Sequence, residues 1–126
     1  MANILVVGSA NIDLVTRVKR VPKPGETLLG RSFDTVPGGK GANQATAAAR
    51  LGAATWFAGC VGNDAFGEMQ QRNLSAEGID LTHLHVHPSE PTGTAVILVA
   101  EEGQNSIVVT PAANMGLRPD DLAGMA

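Results

Sequence analysis

Ala42-Asn43-Gln44-Ala45-Thr46-Ala47-Ala48-Ala49-Arg50-Leu51, closed by Gly52, runs directly into the apolar stretch Ala53 to Val61. Five alanines and a terminal glycine describe a helix with a C-terminal stop. Alanine loses least on entering a helix, and glycine adopts the left-handed turn that ends one. The apolar stretch reads as a buried strand. A helix of small residues feeding a buried strand packs close to a sheet, which points to an α/β fold.

Working outward, Ile4-Leu5-Val6-Val7-Gly8 is another short apolar run and reads as a buried strand. Ser9 to Asp13 reads as a polar turn. Leu14 to Val21 then alternates apolar and polar residues, which predicts a strand with one wet face. Pro22 to Thr27 is a loop by its proline and glycine content, Thr27 to Val36 is a second half-polar extended run, and Pro37-Gly38-Gly39-Lys40-Gly41 breaks the chain. Downstream, Asp64 to Ala76 reads as a helix stopped by Gly78, with Phe66, Met69 and Leu74 as its inner stripe. Leu81 to His87 alternates, and Thr94 to Ala100 with Ser106 to Thr110 forms a hairpin around a glycine-containing loop. Pro119-Asp120-Asp121 opens a helix that has barely begun when the sequence stops, as expected of a segment of something longer. The buried strands and helices imply a doubly wound, mostly parallel sheet with helices on both faces. The half-wet strands imply a second, smaller β-layer.

Composition narrows the function classes. The 126 residues are 44% hydrophobic, 17% charged and 3% aromatic, as in a globular domain built on Ala, Val, Leu and Ile. Nine basic residues against twelve acidic ones leave no basic stripe for a nucleic-acid backbone. No run reaches membrane-spanning length, and the start lacks the charged and apolar regions of a signal peptide. A single cysteine, Cys60, rules out an intramolecular disulfide framework and fits a cytoplasmic protein.

The richest local chemistry is Pro37-Gly38-Gly39-Lys40-Gly41-Ala42-Asn43-Gln44. Its glycines let a ligand approach the backbone, and the helix behind it offers free N–H donors. The Walker phosphate loop does not fit, because Asp34 holds the first glycine position and Gly41 follows the lysine. The dinucleotide fingerprint fails as well, at Gln44. Asn11 and Asp13 follow the carboxyl end of the first strand, where ligands gather in open α/β sheets. A carboxylate accepts two hydrogen bonds and suits a vicinal diol, Asn43 both donates and accepts, and Lys40 adds a cationic donor. Together they suit a small polyol. Taken locally, the glycines also read as a tight turn, and Asn11 with Asp13 as an Asx turn.

The string Gly38-Gly39-Lys40-Gly41-Ala42-Asn43-Gln44-Ala45, with Gly52 and Gly62 behind it, resembles the N-terminal signature of the ribokinase-like (PfkB) carbohydrate kinases. Gly8-Ser9-Ala10-Asn11-Ile12-Asp13, Pro24-Gly25-Glu26-Thr27 and Thr92-Gly93-Thr94-Ala95 match the same family. The uninterrupted string is closer to the branch acting on D-ribose than to the fructokinase or nucleoside kinase branches. The resemblance implies that Asn11, Ile12 and Asp13, with Gly39, Lys40, Gly41, Ala42 and Asn43, hold sugar hydroxyls. Ala95 and Ile107 would line the apolar side of the pocket. It further implies a lid made of strands near 13–21, 27–36, 94–100 and 106–110, which often makes a homodimer contact. ATP would be the co-substrate, with Mg²⁺ and a monovalent cation such as K⁺. One departure is Ala112-Ala113-Asn114, where the family usually has Gly-Ala-Asn. Another is the lack of the family's Gly-Ala-Gly-Asp element, which carries the anion hole and the general base. The family's ATP site, cation loop and a further sugar-binding glutamate also lie beyond the matched motifs. The resemblance therefore implies a sugar-recognition half, residues 1–126 of one ribokinase-like domain, with no catalytic residue of its own and no phosphorylation by itself.

Other residues invite sharper readings that their surroundings do not favour. His83, His85 and His87 share one face of a strand without a neighbouring carboxylate or cysteine, and read as a solvated face rather than a metal site. Cys60, in an apolar strand, reads as an inert core thiol. Glu101-Glu102 and Asp120-Asp121 read as solvated charge and helix-dipole partners. Two rival functions stay open: a kinase of another sugar or of a nucleoside, and a non-catalytic lid module that pairs with another copy.

Overall fold

The structure is a computed structural model that describes residues 2–124. Its strands fall into two open sheets. The first contains β1 (Asn3–Val7), β4 (Ala54–Gly62) and β5 (Leu84–His87), all parallel, in the order β1-β4-β5. The second contains β2 (Asn11–Val18), β3 (Ser32–Gly38), β6 (Gly93–Ala100) and β7 (Asn105–Thr110), in the order β3-β2-β6-β7. Its central pair, β2 and β6, is parallel, and both flanking pairs are antiparallel. The α/β class and the second β-layer expected from the sequence are both present.

Helix α1 (Lys40–Arg50) ends as its sequence predicts. Gly52 adopts φ 97°, its N–H donates to Ala49 O at 3.0 Å, and Ala53 N–H donates to Ala48 O at 3.1 Å. These two bonds satisfy carbonyls that a helix end otherwise leaves unpaired. Helix α2 (Ala65–Ala76) ends the same way at Gly78, φ 78°. Its N-cap is Asp64, whose Oδ1 accepts the N–H of Gly67 at 2.8 Å. Arg50 and Glu77 pair across the two helix ends. The core joins Ala42 and Ala45 of α1 with Leu74 of α2 against Phe57 and Val61 of β4. Alanines on α1 allow that close approach.

Several boundaries move relative to the sequence reading, each for a physical reason. Asn11 to Asp13 is not a turn but the start of β2, because its polar side chains belong to a strand paired on both edges. That strand ends at Val18, since its ladder with β3 stops at Arg17–Ser32. The extended run expected over 27–36 begins only at Ser32 and continues to Gly38. Residues 19–31 instead form a long connection, held by the Arg20–Glu26 ion pair and by Lys23 N–H donating to Glu26 Oε1. Pro37 does not break β3, because β3 is an edge strand where a missing N–H costs no ladder bond. On α2 the buried stripe is Gly67, Gln70 and Leu74, with Phe66 and Met69 only half-buried. Pro119 opens one turn of 3₁₀-helix, Pro119–Leu122. Met125 and Ala126, into which the expected terminal helix would run, lie outside the described residues.

Candidate functional site

The site forms where the two sheets meet. β1 ends at Gly8, and the chain crosses through Ser9 and Ala10 into β2; β3 ends at Gly38, and the chain crosses through Gly39 into α1. These two crossings touch. Gly39 takes φ 94°, and a β-carbon there would stand 2.8 Å from Ser9 O. One on Gly41 would stand 2.7 Å from Ser9 N. Only glycine fits either position. Ala42 N–H donates to Ser9 O at 2.9 Å, which ties the start of α1 to the first crossing. That donor is therefore spent on the backbone.

A cavity of about 510 Å³ opens above this junction. Its polar side is Ser9, Asn11 and Asp13 with Gly39, Lys40 and Asn43. Lys40 and Asn43 lie three positions apart on α1 and so share a helix face. Its apolar side is Ala95 and Ile97 of β6 with Ile107 and Val109 of β7. The register explains the division. Asp13 pairs with Ala95, and Ala95 with Val109, so one row across the sheet runs from a carboxylate to a valine. Pro111, Asn114 and Met115 close one end.

Seven of the sequence-predicted residues come together here: Asn11, Asp13, Gly39, Lys40, Asn43, Ala95 and Ile107. Three do not. Ile12 is fully buried, because alternation along β2 turns it away from Asn11 and Asp13. Gly41 packs on Gly8 and Ser9, and Ala42 sits in the core cluster.

The polar side of the cavity carries one carboxylate, Asp13, and one cationic side chain, Lys40. Burial raises the Asp13 carboxyl above its ordinary value of 3.8. The Oδ1 of Asn11 accepts the Nδ2 of Asn114 at 2.6 Å, leaving the amide nitrogen of Asn11 as its remaining polar group. Asn114 also accepts Ala10 N–H at 2.9 Å and donates to Pro111 O at 2.9 Å, so it braces the first crossing. The sequence reading met Asn114 only as part of a departure from the family pattern. Its bonding reaches residues more than a hundred positions away, and no local pattern reports that. Ala112, in the same 3₁₀ turn (Ala112–Gly116), takes φ 46°, a left-handed conformation at the position where the family usually has glycine.

Burial opposes ionisation of Asp64, but hydrogen bonds from Thr92 Oγ1, Thr92 N and Gly67 N outweigh it and hold the carboxyl below its usual range. Cys60 is free and buried, and burial pushes its thiol up, as an inert core residue requires. Among the described residues no cluster of three or more His, Cys, Asp or Glu could hold a metal, and no helix is long and apolar enough to cross a membrane.

Comparison with known proteins adds a second line of argument. The chain is 50% identical over 119 residues to a ribokinase of Bacillus subtilis, covering 94% of this chain and 40% of that protein. It is 41% identical over 120 residues to a deoxyribokinase of Salmonella typhi, covering 95% and 39%. The structure of Arabidopsis thaliana ribokinase complexed with ribose and ATP superposes with a TM-score of 0.86 at 40% identity, over 97% of this chain and 42% of that one. The chain thus spans about two-fifths of the length of these relatives. The model of the pfkB family carbohydrate kinases matches residues 1–124. Fold, motifs and these likenesses agree, and the chain belongs to the pfkB family of carbohydrate kinases.

Proposed function

We propose that this chain is the sugar-recognition part of an ATP-dependent kinase that moves the γ-phosphoryl group of ATP to the 5-hydroxyl of D-ribose, releasing ADP and D-ribose 5-phosphate. The observation that carries the proposal is the two-sided cavity: Asp13, Gly39, Lys40 and Asn43 face Ala95, Ile97 and Ile107 across a space with room for a small sugar. A sugar ring has a hydroxyl-rich edge and an apolar face, and this cavity offers a partner to each. Asp13 accepts from vicinal hydroxyls, and Lys40 and Asn43 donate to ring oxygens or hydroxyls. Phosphoryl transfer relies on positioning and charge stabilisation. These residues contribute the positioning of the acceptor. ATP, Mg²⁺ and a monovalent cation are assigned no residue of this segment, in which no described cluster suits a metal. On this reading the 126 residues bind sugar without turning over ATP. The second sheet acts as a lid over the cavity, and the free, buried Cys60 suits a reducing cytoplasm.

A second copy is the proposed protein partner. The face of the second sheet turned away from Asp13 carries Phe33, Val96 and Val108, which are 62%, 44% and 66% exposed. Apolar side chains grouped on one sheet face are a docking surface, and pairing of two lids would cover both.

Calorimetric titration of D-ribose into the 126-residue chain, with ATP titrated in parallel, tests the reading. Ribose binding without ATP binding supports it. Sugar-dependent ATP turnover by this chain alone, or a clear preference for 2-deoxyribose or a nucleoside over ribose, would overturn it at the level of activity or substrate.

A further inference from the structure

Helix α2 lines none of the sugar cavity, yet one of its side chains and its N-cap end on the roots of β2 and β6, which line it, and of β3, which leads into Gly39. Gln70 is fully buried. Its Nε2 donates to Asn11 O at 2.8 Å and to Gly38 O at 2.9 Å. Asn11 and Gly38 are cross-strand partners at the end of the β2–β3 ladder. Two acceptor carbonyls converge on one amide nitrogen, which fixes the orientation of the side chain. Its Oε1 is left buried without a partner among the described residues.

Asp64, at the N-cap of the same helix, holds the third root. Its Oδ2 accepts Thr92 N–H at 2.9 Å and its Oδ1 accepts the Thr92 hydroxyl at 2.6 Å. The Thr92 Oγ1 in turn accepts Gly62 N–H at 2.9 Å, from the end of β4. Thr92 leads directly into Gly93, the first residue of β6 and the register partner of Asn11. The helix and its N-cap therefore tie the roots of β2, β3 and β6 together beside the cavity. Asp13 stands two residues beyond Asn11, and Gly39 one beyond Gly38.

We propose that Gln70 and Asp64 are positioning residues for the sugar, acting through Asn11, Gly38 and Gly93 rather than by contact. The proposal rests on the sugar-kinase reading above. A shift of about 1 Å in a positioned group is enough to spoil the alignment of a small ligand for reaction.

The experiment uses a full-length kinase chain carrying this segment. Wild-type phosphorylation of D-ribose is measured first, and its absence would remove the functional reading itself. Given that activity, Gln70→Leu keeps the bulk of the side chain and deletes both donors. It is expected to raise KM for ribose about tenfold and to lower kcat as the acceptor is misaligned, with KM for ATP unchanged. Asp64→Asn keeps a good N-cap but turns a donor toward Thr92, and is expected to raise KM for ribose about threefold to tenfold with the same selectivity. If Gln70→Leu does not fold, Asp64→Asn decides alone. An unchanged ribose KM in the folded variants, or equal rises in the KM for ribose and for ATP, would overturn the proposal.

Discussion

Oδ2 of Asp13 lies 2.5 Å from the point where a β-carbon on Gly38 would stand, so the carboxylate on β2 occupies the side-chain space of the neighbouring strand. The absence of a side chain at Gly38 is thus part of what orients Asp13. Gly38→Ala pushes the carboxylate out of that space. D-ribose affinity is expected to fall about tenfold or more, as overpacking of a fitted site does. Titration calorimetry on a full-length chain reads it directly, and unchanged affinity would sink the assigned role of this contact.

Asp13 also gives the site a pH response with two opposite signs. Burial raises its carboxyl above 3.8. On the proposed role of Asp13 the carboxylate is the binding form, so ribose affinity is expected to fall as pH drops through that raised value, earlier than for an exposed aspartate. Stability moves the other way. A group whose folded value is raised favours the folded state most below its unfolded value, and loses that contribution as pH rises through the folded one. Ribose titrations and denaturant unfolding between about pH 4 and 7 check both trends. Asp13→Asn should weaken ribose binding at every pH and flatten the stability trend, and a stability response to pH that survives in this variant belongs to another group.

Ala112 predicts a gain. At φ 46° its β-carbon crowds the following carbonyl. Ala112→Gly removes that crowding at some cost in unfolded-chain entropy, and the net expectation is stabilisation by up to about 1 kcal/mol. Chemical denaturation measures it; a loss of stability would mean that the alanine methyl packs more than the strain costs.

Association is checked on the outer face of the second sheet. Val108 is 66% exposed there, beside Val96. Val108→Lys is expected to convert a dimer to a monomer in light scattering while ribose binding persists, because Val108 alternates with the cavity residues Ile107 and Val109. A dimer that withstands the substitution lies elsewhere on the surface.

The parts of the fold legible in the sequence were those written locally. The alanine helix and its Gly52 stop, the Asp64 start of α2 and the β6–β7 hairpin all carry their information within a few residues. Asn11 and Asp13 looked like a turn because short polar residues favour turns locally, and pairing to β3 and β6 overrode that preference. Pro37 looked like a break because its tolerance depends on lying at a sheet edge, which is a tertiary fact. The cavity residues were legible by chemistry and motif. Their supports, Gln70, Asp64 and Asn114, act through bonds to distant backbone, and a polar residue on a helix gives no sign of being buried. Ile12, Gly41 and Ala42 stood in the right motif and point elsewhere, since a motif names neighbours in sequence rather than in space.

The parallel pairing of β2 with β6 has a consequence for the order in which this protein acquires structure. β1, α1 and β4 are complete once the chain has reached Gly62, and their contacts can form early. The rung joining Asn11 to Gly93 closes a far longer loop, and the hairpin partner β7 ends only at Thr110. Closing long loops is the slow part of folding. During synthesis at the ribosome β1 and β4 can therefore pair early, and β2, joined only to β3, waits with one edge unpaired until β6 arrives. The interval before that arrival is when this chain is most open to pairing with the wrong strand.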